Sequence, residues 1–302
     1  MKIQLYPPQA FQELGRRSNQ EDSLWPPLGE ATAATRLFVV CDGMGGHDHG
    51  EVASATVAGT MGKYLAGHLQ DGKPLTDDVL HDALDEAYRQ LDLGDIATDS
   101  RKMGTTLTLV AFHGGGVTML HIGDSRIYHF RPSRRQVLYK SRDHSLVMEL
   151  YLSGELTEAE AETYEGKNIL TRAMMPAMER RPKADITHTT DLLPGDCFML
   201  CSDGVLENLS DDDLLNLLSD EATGDEEKCR RLVELTGGNA DNHTAYLVRI
   251  ADVQAEPGDA SAPSDEDVSR GNMLVHLRRR EAEAPAEKPQ GWLRRTLGRL
   301  FE

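Results

Sequence analysis

Short apolar and β-branched runs recur from Leu37 to Ile250. They predict strands at Leu37 to Cys41, Thr105 to Phe112, Val117 to Ile122, Arg126 to Phe130, Cys197 to Cys201 and Thr244 to Ile250. These are too many for an all-helical fold. Two longer segments repeat apolar residues at helical spacing: Val57, Met61, Tyr64 and Leu65 in one, and Leu80, Leu84, Ala87 and Leu91 in the other. Thr76 stands as an N-cap before the second, and Asp77 and Asp78 follow where the helix dipole favours negative charge. Ser210 repeats that arrangement ahead of "DDDLLNLL". Between Ser145 and Pro176 helical spacing interrupts the strands, with "GELTEAEA" reading as a turn and a capped helix, which predicts a surface subdomain.

The pattern changes after Ile250. Residues 252 to 269 contain no basic residue and are rich in Asp, Glu, Pro, Ala and Ser. The expectation is one domain over 1–251, a disordered acidic linker over 252–290 and a short basic helix over 291–302. In "GWLRRTLGRLFE" one helical face gathers Leu293, Leu297, Leu300 and Phe301, a weak candidate for membrane-surface contact or local docking.

Composition narrows the function. Apolar residues make up 39% of the 302, enough for a buried core, while a net charge of -18 argues against nucleic acid as the main partner. An anionic substrate would need local positive charge. No stretch approaches the roughly 20 apolar residues of a membrane span, and "MKIQLYPPQAF" has no signal-like apolar core, so the cytoplasm is expected. Cys41, Cys197, Cys201 and Cys229 lack CxxC spacing and read as buried reduced thiols.

The acids are placed unusually. Asp42 ends the apolar run of "FVVCDGMGG", and Asp124 in "HIGDSRIY", Asp203 in "FMLCSDGV" and Asp241 in "GGNADNHTAYLVRI" sit beside strands in the same way. Glu21 and Asp22 follow Arg16 and Arg17 in "GRRSNQEDS". Burying such carboxylates is costly without a cation, and hard oxygen donors suit Mg²⁺ or Mn²⁺. The glycines of "DGMGG" and "SDG" let backbone or water approach an ion. They do not fit a dinucleotide or P-loop pattern, which would need GxGxxG or a GK[ST]. His47, Asp48 and His49 are a poor match to zinc-ligand spacing and read as a solvated loop.

Taken together and in order, Arg17, "NQED", "CDGMGGHDHGEVAS", "MGTTLTLV", "HIGDSRIYHFR", "SRDHSLV", "KNILTRAM", "CSDGVLENL" and "DNHTAYLV" resemble the PP2C-type (PPM) metal-dependent serine/threonine protein phosphatases of bacteria, over roughly residues 10 to 250. The resemblance implies an α+β fold, a four-layer α/β/β/α sandwich of two antiparallel sheets flanked by helices, with Ser145 to Pro176 as a flap beside the cleft. It implies two Mn²⁺ or Mg²⁺ ions that activate a water for in-line attack on phosphorus. Asp42 would bridge them with the Gly43 carbonyl in support, Asp203 and Asp241 would complete the second ion, and Asp22 and Glu21 would act through intervening water. Asp124 would help to hold a third, weaker ion. Arg17 matches the phosphate-binding arginine, a role open also to Arg16 because "RSNQED" has one residue more than relatives spelling "NED".

Expected partners are phosphorylated proteins, including a Ser/Thr kinase and its targets, and the chain is expected to act as a monomer. An antagonist phosphoprotein or small phosphoesters stay open as substrates. Met44 stands where many eukaryotic relatives have a histidine proposed as general acid, and a thioether cannot donate a proton. That role would pass to a water at the metal centre or to His47. Arg126 is expected to orient a carboxylate, and His144 and His243 to hydrogen-bond around the site or to neighbouring loops. A non-catalytic binding module on this fold should have lost one of Asp42, Asp203 and Asp241, and all three are present.

Overall fold

A computed structural model describes residues 1–254 apart from 46–48, 70–71, 99–102, 165, 167–168 and 221. Among the described residues twelve strands form two antiparallel six-stranded sheets. The first holds β1 (Lys2–Leu5), β12 (His243–Gln254), β11 (Cys197–Cys201), β8 (Arg126–Arg131) and β9 (Gln136–Lys140) in that order, with β2 (Gln9–Glu13) also paired to β12. The second runs β10 (Asp185–Thr189), β7 (Gly116–Ile122), β6 (Leu107–His113), β4 (Leu37–Met44) and β3 (Asp22–Trp25), with β5 (Gly104–Thr105) on β4. Helices α1 (Gly50–Leu69) and α2 (Asp77–Thr98) cover the second sheet, and α5 (Asp211–Leu218) and α6 (Asp225–Thr236) pack on the first.

Strand alternation explains why the runs are apolar throughout. Leu37, Val39 and Cys41 of β4 face α1 and α2, while Phe38 and Val40 enter the layer between the sheets. In β11, Phe198 and Leu200 share that inner layer, and Cys197, Met199 and Cys201 face α5 and α6. Strands covered on both faces read as continuous hydrophobic runs. All four cysteines are free and buried.

The helices begin as their sequences direct. Ser210 caps α5 in a reciprocal box with Asp213, and the Thr76 carbonyl accepts the first bond of α2 from Leu80 N–H at 3.2 Å. In α1, Gly62 lies flat under the Trp25 ring, where a Cβ would come within 2.1 Å of Trp25 Cδ2.

Among the described residues Ser145 to Pro176 holds two short helices, α3 (Leu146–Leu152), capped by Ser145, and α4 (Glu158–Glu162), the expected capped helix, whose Thr157 and Glu160 form a capping box. Isolated bridges tie the segment to the body at Thr105 and Met174 and close it at Ser145 and Leu170.

Three expectations change. The Thr105 to Phe112 run is interrupted at Thr106, whose N–H donates to Asp42 O at 2.9 Å and whose hydroxyl accepts from Asp42 N–H at 3.0 Å. The strands β1, β2, β3, β9 and β10 had no apolar run to announce them, since each is short and half-exposed or polar. The domain does not stop at residue 251: Asp252, Val253 and Gln254 complete β12, held by pairing with Gln4, Ile3 and Lys2. The rest of the expected linker, residues 255–290, and the helix expected over 291–302 lie outside the described residues, as do His47 and Asp48. Among the described residues no helix is long and apolar enough to cross a membrane.

Candidate metal and phosphate site

At one end of the sandwich the inner layer turns from hydrocarbon to oxygen. Inner positions alternate Leu24 then Asp22 in β3, and Phe38, Val40 then Asp42 in β4. Beyond Phe198 and Leu200 in the first sheet comes Ser202, and Tyr246 and Val248 in β12 are preceded by Thr244. Asp22 and Asp42 are directly opposed in register. Asp203 starts a 3₁₀ turn, Asp203–Leu206, straight after β11, and its carboxyl lies within hydrogen-bonding reach of Asp42. Asp241 lies in the loop entering β12, where Glu207 accepts from Ala240 N–H at 2.8 Å and Asp241 N–H at 2.9 Å.

Backbone contacts fix the rest. Gly43 N–H donates to Glu21 O at 3.1 Å, and a Cβ on Gly43 would lie 2.3 Å from Gly50 O, so only glycine admits this approach. Glu21 N–H donates to Asn242 Oδ1 at 2.8 Å, while Asn242 Nδ2 donates to Leu14 O and Asn19 O at 2.9 and 3.0 Å. One asparagine thereby holds the amino-terminal loop against the acidic cluster. The predicted set Glu21, Asp22, Asp42, Gly43, Asp203 and Asp241 is thus knit into one region. Asp124, in the turn between β7 and β8, interacts electrostatically with Asp42 and Asp203.

Negative charge accumulates in this region. Burial, then Asp22, Asp203, Asp124 and Asp241, pushes the Asp42 carboxyl well above its ordinary range. Burial also raises Asp22 to about 7, against the Ser202 hydroxyl that donates to it at 2.7 Å. Asp124 rises to about 7 through burial and then Asp203, and Asp203 is raised by burial and then Asp241. A divalent cation would relieve both burial and repulsion, and these hard oxygens are the donor chemistry of Mg²⁺ or Mn²⁺.

Two cationic groups border the cluster. Arg17 Nη2 meets Asp241 Oδ2 at 2.7 Å, with half of its side chain open to solvent. Arg16 contributes a backbone bond to Ala240 O, and the Arg17 guanidinium meets the acids at Asp241. Arg126 is turned aside as expected, in a two-pronged ion pair with Asp143 at 2.7 Å for each bond. Met44 is half-buried beside Gly104. His243 Nδ1 contacts Asp241 O at 2.9 Å and His144 contacts Gly123, as expected for histidines bracing the loops. Sequence reasoning missed Ser202 and Asn242; each sits beside a singled-out aspartate, and that adjacency was the available signal.

Comparison with known proteins shows the family. The family described as Protein phosphatase 2C matches residues 16–235. The serine/threonine protein phosphatase PstP of Mycobacterium tuberculosis is 33% identical over 261 residues, covering 83% of this chain and 46% of that protein. The chain therefore spans about half the length of that relative. The protein phosphatase PhpP of Streptococcus pneumoniae is 30% identical over 258 residues, covering 80% of this chain and 96% of that protein. The crystal structure of the PstP catalytic domain in complex with two manganese ions aligns with a TM-score of 0.66 at 31% identity, covering 83% of this chain and 100% of that one.

Proposed function

We propose that this chain, which belongs to the protein phosphatase 2C family, hydrolyses phosphoserine and phosphothreonine esters of proteins in a manganese- or magnesium-dependent reaction. The observation that carries the reading is the gathering of Asp22, Asp42, Asp203 and Asp241 at the open end of the inner layer, with raised carboxyl pKa values and Arg17 at its rim. Two ions are supported by the two manganese ions of the similar PstP structure.

Asp42, the Gly43 carbonyl, Asp203 and Asp241 would hold the ions, and Asp22 and Glu21 would accept from water around them. Two divalent cations supply a water of lowered pKa and offset the charge that develops on phosphorus. The chain's own residues do the rest. Arg17 offers its guanidinium to the phosphoryl oxygens, exchanging or sharing Asp241. Thr106 holds the Asp42 backbone from both its N–H and its carbonyl, so the carboxylate is aimed by the sheet. Asp124 is assigned to a third, weaker ion. Ser145 to Pro176 is assigned as a flap, and the substrates as targets of a Ser/Thr kinase.

The test is protein stripped with chelator and assayed on p-nitrophenyl phosphate and on a phosphothreonine peptide, with and without Mn²⁺. Turnover of both restored by Mn²⁺ is expected. No turnover overturns the enzyme reading, and turnover of the small ester alone moves it to small phosphoesters.

A further inference from the structure

The turn carrying Asp124 is fastened at Ser125, whose hydroxyl lies 2.7 Å from that of Thr106, and at Gly123 by a histidine. Gly123 has φ +109°, and its place against Thr106 leaves no room for a Cβ, which would lie 2.6 Å from Thr106 Cγ2. His144 clasps this glycine twice: its backbone N–H donates to Gly123 O at 2.9 Å, and its ring Nδ1 accepts from Gly123 N–H at 3.1 Å. A neutral imidazole accepting at Nδ1 carries its proton on Nε2, an assignment that follows from this network. Burial and then the stacked His121 push His144 down to about 4, which keeps it neutral. The Nε2–H faces Asp185 Oδ2 at 3.3 Å, and Asp185 Oδ1 accepts from Arg172 at 2.9 Å. Thr171 N–H closes the group by donating to His144 O at 2.9 Å.

His121, His144 and Asp185 each offer a ligand atom within 4.8 Å of the others. They are nonetheless not built as a cation cage. Arg172 Nη1 stands 3.2 Å from His144 Nε2, and the two rings stack at 4.6 Å and 12°, so their lone pairs do not converge. The arrangement is that of a relay in which a carboxylate braces the imidazole and the imidazole receives a backbone N–H.

We propose that Asp185 and His144 position the Asp124 carboxylate through Gly123, and so set the affinity of the weaker cation site without touching the two-ion core. This rests on the assignment of Asp124 as a ligand. His144 is a positioning residue, acting through a backbone group.

The test is Mn²⁺ binding followed by electron paramagnetic resonance of free Mn²⁺, on the full chain and its variants. His144→Leu removes the ring acceptor, and the weakest class of sites should lose affinity about tenfold, the scale of lost outer-shell partners, with tighter classes unchanged. His144→Asn keeps an acceptor oxygen near the place of Nδ1 and should recover most of the loss. Equal binding in His144→Leu, or equal loss in the Leu and Asn variants, overturns the relay. Should His144→Leu fail to fold, the half-exposed Asp185→Ala decides: a weakened weak class supports the relay and no shift overturns it. Asp124→Asn must abolish the weak class. If it does not, or if the unaltered protein shows no weak class, the assignment of Asp124 falls and the relay with it.

Discussion

Asp22 and Asp42 oppose one another across β3 and β4, both on the face that looks between the sheets. Like charges placed directly opposite in a sheet destabilise it, so the strand register that assembles the site works against the fold unless a cation intervenes.

That opposition predicts an inverted pH dependence in chelator. Asp22 and Asp124 titrate at about 7, above the roughly 3.9 of a free aspartate. Their contribution to stability is intact below the unfolded value and is lost as pH rises through the folded one. The Tm of chelated protein should fall from about pH 4 to about pH 7 on this account, and Asp22→Asn should flatten the fall. Mn²⁺ should reverse it. A chelated Tm that climbs over that range, unaltered by Asp22→Asn, would contradict the prediction.

Asp203→Asn should remove most turnover, on the order of a hundredfold or more, because it withdraws a ligand charge while keeping side-chain volume. Near-ultraviolet circular dichroism should match the unaltered protein. Near-normal rates would refute the assignment.

Arg17→Ala should raise KM for a phosphothreonine peptide more than Arg16→Ala does, since the Arg17 guanidinium meets Asp241. The opposite ranking in steady-state kinetics would transfer the role to Arg16.

Far from the site, Asp196 is buried with Arg131 at 2.9 Å and His129 at 3.1 Å. Burial tends to raise its carboxyl, but the bonds from His129 and Arg131 prevail and bring it down to about 2. Asp196→Ala leaves the buried Arg131 with the exposed Asp191 as its remaining carboxylate and His129 without its acceptor, and should cost about 1–3 kcal/mol in urea unfolding with kcat unaltered. A cost under about 1 kcal/mol would show the pair to be dispensable.

Removing residues after Gln254 should leave peptide hydrolysis intact, whereas removal after Ile250 strips β1 of the partners of Lys2, Ile3 and Gln4 and should lower Tm. Equal Tm values for the two truncations would contradict the account of β12.

What could be read from the sequence follows from where the information lies. The β4 and β11 runs were legible because both of their faces are covered, and the helices because Ser210 and Thr157 cap them locally. β10, "DITHT", was not, since it is polar and takes its conformation from pairing with β7. The acids were legible from their local spelling beside strands. The Asp185, His144 and Gly123 contacts were not, because they join residues far apart in sequence and carry no spacing signal.

Gly62 costs α1 about 1 kcal/mol in helix propensity, and it is what allows Trp25 to lie against the helix. Trp25 and Asp22 are the two ends of one four-residue strand, roughly 10 Å apart. The helix layer is thereby a depth stop for the strand that delivers a carboxylate to the cleft. A side chain added at Gly62 would act like a shim under a lever: small at the helix, and felt as misalignment at the acidic end.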